Sequence, residues 1–150
     1  MLVDVNLLVY AAMETSPFHA HSREWFNAAL NGDERVALPW ESITGFVRLA
    51  SNPRLCSPGF SVREAWRIAE LWLDCGNVWI PTPTREHRAV FRHLIGNVAP
   101  MTHKLVADAH LAAIAIEHNL ALVSADTDFA KFSGLRYHNP LQYEKNNINP

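Results

Sequence analysis

Asp126 and Asp128 follow a short apolar run, Leu120 to Val123, across the small residues Ser124 and Ala125. A buried strand that breaks into acids puts carboxylates in the crevice at its carboxyl end, where open α/β sheets bind ligands. Other segments end in the same way. Asp4 interrupts Leu2-Val3-Asp4-Val5-Asn6, and in an extended chain Asn6 projects to the same side as Asp4. Glu41 comes just after the stretch Arg35 to Leu38 and Pro39. Asp108 lies about six residues beyond Thr102, the expected cap of a long helix, and so too deep to serve that helix's N-terminus. It shares a face with Leu105, Leu111, Ala112 and Ala115, the stripe due to meet the sheet. An ionised group on such a stripe costs several kcal/mol unless it is paired or bound to a metal.

Each acid also has an ordinary structural reading. Asp4 or Asn6 can cap a helix, Glu41 can serve a helix dipole, and Asp126 and Asp128 can close a turn. Asp108 can pair with an arginine or a buried water. Taken together, the acids point further. If the first, second and fourth strands are neighbours, Asp4, Glu41, Asp108 and Asp126 converge on one crevice. Carboxylates about 4 Å apart repel by about 4 kcal/mol at an effective dielectric near 20. They then raise one another's pKa or recruit a cation. An all-oxygen donor set favours Mg2+ or Mn2+ over Zn2+. The chemistry implied is metal-dependent hydrolysis of a phosphodiester or phosphomonoester, through an activated water and a stabilised phosphoryl oxygen.

The elements that must position these residues alternate. Short strands are expected at Leu2 to Asn6, Arg35 to Leu38, Val78 to Ile80, Leu120 to Val123 and Leu135 to His138. Between them, Leu7 to Met13 continues as a helical turn or two, and Ser16-Pro17 starts a helix that stops at Gly32. Glu41 opens a helix with Ile43, Phe46, Val47 and Ala50 on one face, followed by a loop from Ser51 to Gly59. Ser61 and Glu64 form a capping box for an amphipathic helix that stops at Gly76. Thr84 caps a helix through Val90, Phe91 and Leu94, and Thr102 caps one from His103 to about His118. Phe129 to Phe132 is a short helix. Strands separated by helices require crossovers, hence a mostly parallel five-stranded α/β sheet in three layers, with helices on both faces. Residues 1–142 read as a single domain, and the polar, Asn-rich segment 143–150 as a disordered tail.

Composition narrows the class. Of 150 residues, 49% are hydrophobic, enough for a real core. The formal net charge of -2 gives no sign of a general polyanion binder, though it does not exclude an enzyme that touches a few nucleotides. Cys56 and Cys75 form no CxxC pair, as expected of reduced thiols in the cytoplasm. Asp4 and Asn6 and the lack of a basic start argue against a signal peptide, and no apolar run approaches the ~20 residues of a membrane span. The eight histidines contain neither HExxH nor a Cys/His cluster, although His110, two residues after Asp108, could reach the crevice rim. The tryptophans at helical spacing suit a core or dimer interface better than base stacking, except Trp40, which adjoins Glu41. Arg48, Arg54, Arg85, Arg88 and Arg92 are candidates for phosphate contacts. A phosphatase with a nucleophilic Asp4 would want a second acid where Asn6 stands, and a receiver domain would want a lysine at a late strand end. A non-catalytic interaction module on the same fold is the remaining alternative.

The ordered set Asp4-Val-Asn6, Glu41 at a helix start, Asp108-Ala-His-Leu-Ala-Ala113 and Ser124-Ala-Asp-Thr-Asp-Phe129 resembles the PIN-domain ribonucleases, most closely the VapC-like toxins of toxin–antitoxin pairs. The likeness covers about residues 1 to 140. It implies a five-stranded parallel sheet and a Mg2+ or Mn2+ site formed by Asp4, Glu41, Asp108 and Asp126, with Asp4, Asp108 and Asp126 as metal ligands. Asn6, Ser124 and Asp128 match supporting positions. It further implies an endoribonuclease acting on structured RNA of the tRNA or rRNA class, leaving a 5′-phosphate. A homodimer silenced by a small antitoxin protein is the implied assembly.

Overall fold

In the computed structural model, which describes residues 1–142, five short strands form one sheet in the order β3-β2-β1-β4-β5. They are β1 (Leu2–Val3), β2 (Val36–Ala37), β3 (Val78–Trp79), β4 (Ala121–Val123) and β5 (Arg136–His138), and every pairing is parallel. β1 therefore lies between β2 and β4, the adjacency that convergence of the acids requires. Six helices make the crossovers: α1 (Val5–Ala12), α2 (His19–Leu30), α3 (Trp40–Ala50), α4 (Val62–Leu73), α5 (His87–Asn97) and α6 (Leu105–Glu117). The segment 143–150, expected to be a tail, lies outside the described residues. No helix among the described residues is long and apolar enough to cross a membrane.

Alternation along each strand divides the core in two. Val3, Val36 and Val123 pack with Leu7, Phe26 and Phe46 of α1, α2 and α3 on one face. Leu2, Ala37 and Leu122 pack with Leu94 of α5 and Ala112 of α6 on the other. Trp72 of α4 joins the first face, its ring 5.2 Å from Phe26 and 4.6 Å from Phe46, so this tryptophan is core. Trp40 and Trp66 remain exposed.

Several element boundaries differ from the sequence expectation, each for a local reason. The first strand stops at Val3, because Asp4 caps α1 through a bond from the Val5 amide to its Oδ1. Asp4 and Asn6 consequently sit on a helix start and do not share an extended face. Ser16 folds into a turn, its hydroxyl accepting from the Phe18 amide, and α2 begins at His19 with no side-chain cap. Thr84 makes a similar turn to Glu86, and α5 begins at His87. Thr102 contributes only its carbonyl, accepting from Leu105, and α6 starts there. The helix expected at Phe129 is a 3-10 turn over Thr127–Lys131.

The capping box at the start of α4 is present in full. The Ser61 hydroxyl accepts from the Glu64 amide, and the Glu64 carboxylate accepts from the Ser61 amide. α6 ends at Glu117, and Asn119, two residues on, has a φ of 52°, the left-handed conformation that commonly follows a helix stop. That stop returns the chain into β4, and so sets where β4 delivers Ser124 and Asp126. Ser61→Ala is expected to cost about 1 kcal/mol, read by urea unfolding, with no change at the acidic residues remote from it.

Candidate acidic active site

The site grows from the carboxyl ends of β1 and β4. The Asp4 amide extends the ladder by donating to the Val123 carbonyl at 3.0 Å. Its side chain is 8% exposed, held at Oδ1 by the Val5 amide (2.7 Å) and at Oδ2 by the Ser124 hydroxyl (2.7 Å). Burial pushes the Asp4 carboxyl above the usual range, those two hydrogen bonds oppose the rise, and the negative charge of Asp126 adds to it. Ser124 is fully buried and its oxygen also accepts from Asn6 Nδ2 (2.9 Å) and from the Asp126 amide (2.9 Å). One donated and two accepted bonds are all a hydroxyl can make. Asn6 Oδ1 accepts from the Ala125 amide, closing a loop of bonds between α1 and the turn after β4.

Asp126 caps the 3-10 turn by accepting from the Asp128 amide, and Asp128 accepts from Lys131 Nζ. Both acids thus have the turn roles that sequence allowed them. Asp108 differs from expectation. It lies in the first turn of α6, not deep within it, so the dipole of that helix is available to it. It is nevertheless raised to about 6, first by burial and then by the charges of Asp126, Asp4 and Asp128. Four acids from three segments therefore share one electrostatic field.

Glu41 stands in the first turn of α3. Ser42, fully buried, anchors that turn by donating to the Val3 carbonyl at 2.8 Å, which sets the start of α3 against the end of β1. Gly45 completes the approach: a Cβ there would stand 3.1 Å from Val5 Cγ2, so α3 comes close to α1. Between α1, α3 and α6 opens a cleft of about 200 Å³ lined by Asp4, Glu41, Arg48, Asp108 and His110 among others. Asp126 is not on its wall and reaches it through charge. A wider groove of about 740 Å³ between α3 and α4, beside Trp40 and Trp66, lacks the coupled acids.

Comparison with known proteins agrees with this geometry. The family model for the PIN domain matches residues 1–135. Ribonuclease VapC37 of Mycobacterium tuberculosis is 38% identical, over 93% of this chain and 96% of that one. The chain belongs to the PIN-domain family, among the VapC ribonucleases. Solved PIN-domain structures share the fold. VapBC2 from Rickettsia felis, bound to a DNA fragment from its promoter, superposes with a TM-score of 0.67 at 13% identity over 92% of this chain and 96% of that one. The Mycobacterium tuberculosis toxin VapC20, which cleaves the sarcin-ricin loop, superposes with a TM-score of 0.64 at 16% identity over 90% and 98%.

In this PIN domain, the residues that sequence brought forward fall into two groups. Asp4, Glu41 and Asp108 line the cleft, while Asn6, Ser124, Asp126 and Asp128 build and charge the wall behind it. Sequence reasoning missed Ser42 and Gly45, whose roles rest on contacts with β1 and α1 that no local pattern carries. Among the described residues, no three His, Cys, Asp or Glu side chains stand together closely enough to hold a metal ion between them. The donor chemistry still suits Mg2+ or Mn2+. Such ions use one or two carboxylates and keep several waters, and the raised Asp108 marks unrelieved negative charge.

Asp108 binds its proton more tightly folded than unfolded, where its ordinary value is 3.8. Folding therefore takes up a proton between about pH 4 and pH 6, and stability falls as pH rises through that interval. With divalent cations chelated, Asp108→Asn should raise the melting temperature at pH 7.5 by about 2–4 °C, or about 1 kcal/mol after allowance for partial solvation. The gain should vanish near pH 4. A variant less stable than wild type at pH 7.5 would contradict the electrostatic reading.

Proposed function

We propose that this chain is a Mg2+- or Mn2+-dependent endoribonuclease of the toxin type, acting on structured RNA of the tRNA or rRNA class. The observation that carries the reading is the coupling of Asp108 to Asp126 and Asp4 beside a cleft shared with Glu41. Asp4 and Asp108 would hold the ion from the cleft, and Asp126, off its wall, would reach it through one of the ion's waters. When bound, it supplies a water of lowered pKa and neutralises charge on a phosphoryl oxygen.

The chain's own residues supply the rest. Ser124 and the Val5 amide hold the Asp4 carboxylate in one orientation, leaving it no rotational freedom to lose on binding. Burial and the neighbouring acids hold Asp108 at about 6, and a bound ion would favour its ionised form. Glu41 adds a carboxylate on the α3 wall, two turns before Arg48, which lines the same cleft and offers a cationic contact for a backbone phosphate. Asn6 and Asp128 brace the turn that carries Ser124 and Asp126.

The relatives extend the reading to partners. The Rickettsia felis neighbour is a VapBC pair on promoter DNA. By analogy, a small antitoxin holds this chain silent; a homodimer and a cytoplasmic setting, in which Cys56 and Cys75 remain free thiols, complete the proposal.

Purified protein incubated with structured RNAs should cut them in Mg2+ or Mn2+ and stop in chelator, with Asp108→Asn slower by at least about 100-fold. Mg2+ should also raise the melting temperature of wild type and not of the variant. Equal residual cutting by wild type and variant would mark contamination. No cutting together with no metal binding would favour a non-catalytic interaction module.

A further inference from the structure

Outside the acid cluster, three titratable side chains, Glu117, His87 and His110, form a row that the reading above does not use. Glu117 is the last residue of α6, and its side chain is 0% exposed. A buried carboxylate at the negative end of a helix is doubly unfavourable unless it is compensated. Two groups compensate it. Oε2 accepts from the Thr84 amide at 2.7 Å, and Oε1 meets His87 Nδ1 at 2.5 Å. The other ring nitrogen of His87, Nε2, lies 2.9 Å from His110 Nδ1, and His110 Nε2 lies 2.9 Å from Glu41 Oε1. The row thus runs from the buried end of α6 into the cleft.

Its geometry follows from the helices. His110 and Glu117 are seven residues apart on α6, two turns along one face. His87, the first residue of α5, sits between them, and Phe91 stacks on its ring at 5.8 Å. The rings of His87 and His110 relay contact between two carboxylates, Glu117 at the buried end and Glu41 in the cleft. Metal-site histidines and carboxylates are commonly oriented by such outer partners.

We propose that Glu117 and His87 are positioning residues for the cleft: through the ring of His110 they fix where the Glu41 carboxylate stands. The proposal rests on the ribonuclease reading and assigns the row no metal of its own. It predicts that two residues without access to the cleft influence turnover through Glu41. It also predicts that hydrogen bonding at Glu117, and not its charge, is what matters. A glutamine there can keep the Thr84 bond through its oxygen and donate to His87, which then donates onward to His110.

The test is single-turnover and steady-state RNA cleavage by His87→Phe, Glu117→Leu and Glu117→Gln, assayed below their melting temperatures. His87→Phe and Glu117→Leu should each lower kcat about 10-fold with KM within about 2-fold, and Glu117→Gln should stay within about 3-fold of wild type. In a Glu41→Ala background, His87→Phe should cost nothing further. Folded His87→Phe with unchanged kcat, or an equal fractional loss in the Glu41→Ala background, would overturn the proposal. Should His87→Phe not fold, the Leu and Gln pair at position 117 decides, and equal loss in both contradicts it. If wild type cuts no RNA, the ribonuclease reading fails by itself. The row is then read from the histidine ring 15N spectrum, where Glu117→Leu must shift His110 and an unmoved His110 signal overturns the coupling.

Discussion

The Ser124 hydroxyl donates to Asp4 and accepts from Asn6 and from the Asp126 amide, and the acidic site depends on those three bonds. They join the end of β1, the first turn of α1 and the turn after β4 at a single buried atom. Together with the Val5 amide, the bond from Ser124 holds the buried Asp4 carboxylate beside the charge of Asp126. Burial and repulsion drive Asp4 towards its neutral form, and the hydrogen bonds from Ser124 and Val5 oppose that drive. The fold therefore stores negative charge at one edge of the sheet by satisfying its oxygens from the inside, leaving their field directed into the cleft.

The acids are recruited from ordinary structural duties. Asp4 caps α1, Asp126 caps a 3-10 turn, and Glu41 and Asp108 occupy first turns of helices. Helix starts stabilise carboxylates, so four acids can be gathered with each partly compensated by its own element. Parallel topology does much of the gathering: α1 and α3 leave β1 and β2 at the same end of the sheet, and α5, which starts beside the end of α6, brings the start of α6 back to it. Asp108 stays raised to about 6, first by burial and then by the charges of Asp126, Asp4 and Asp128, and a bound cation would offset both.

Much of this was legible in sequence. The strand–helix alternation, the five short apolar runs and the capping box at Ser61 all appear where their local chemistry places them. Asp4, Glu41, Asp126 and Asp128 were found by position after a strand, and Asp108 by its place on the apolar stripe of a helix. Asp4 and Asn6 were expected on one extended face, yet the chain turns helical at Val5, and Asn6 reaches Ser124 from α1. Asp108 was expected deep in its helix, because Thr102 looked like the cap; α6 starts three residues later. Its raised pKa comes from burial first and from neighbouring charges second, and both depend on tertiary placement. Ser42, Gly45 and the row from Glu117 to Glu41 were illegible for the same reason. Glu117 and His87 are 30 residues apart in the chain, and only the packing of α5 on α6 brings them together.

The most direct test of the central claim, that these carboxylates form one cation-binding nuclease centre, is a crystal structure of the protein soaked in Mn2+ with anomalous data collected. A single strong peak, or a close pair, in the cleft between Asp4 and Asp108 and on the side of Asp126 is predicted. Full occupancy of Mn2+ elsewhere on the surface, with that cleft empty, would contradict the account.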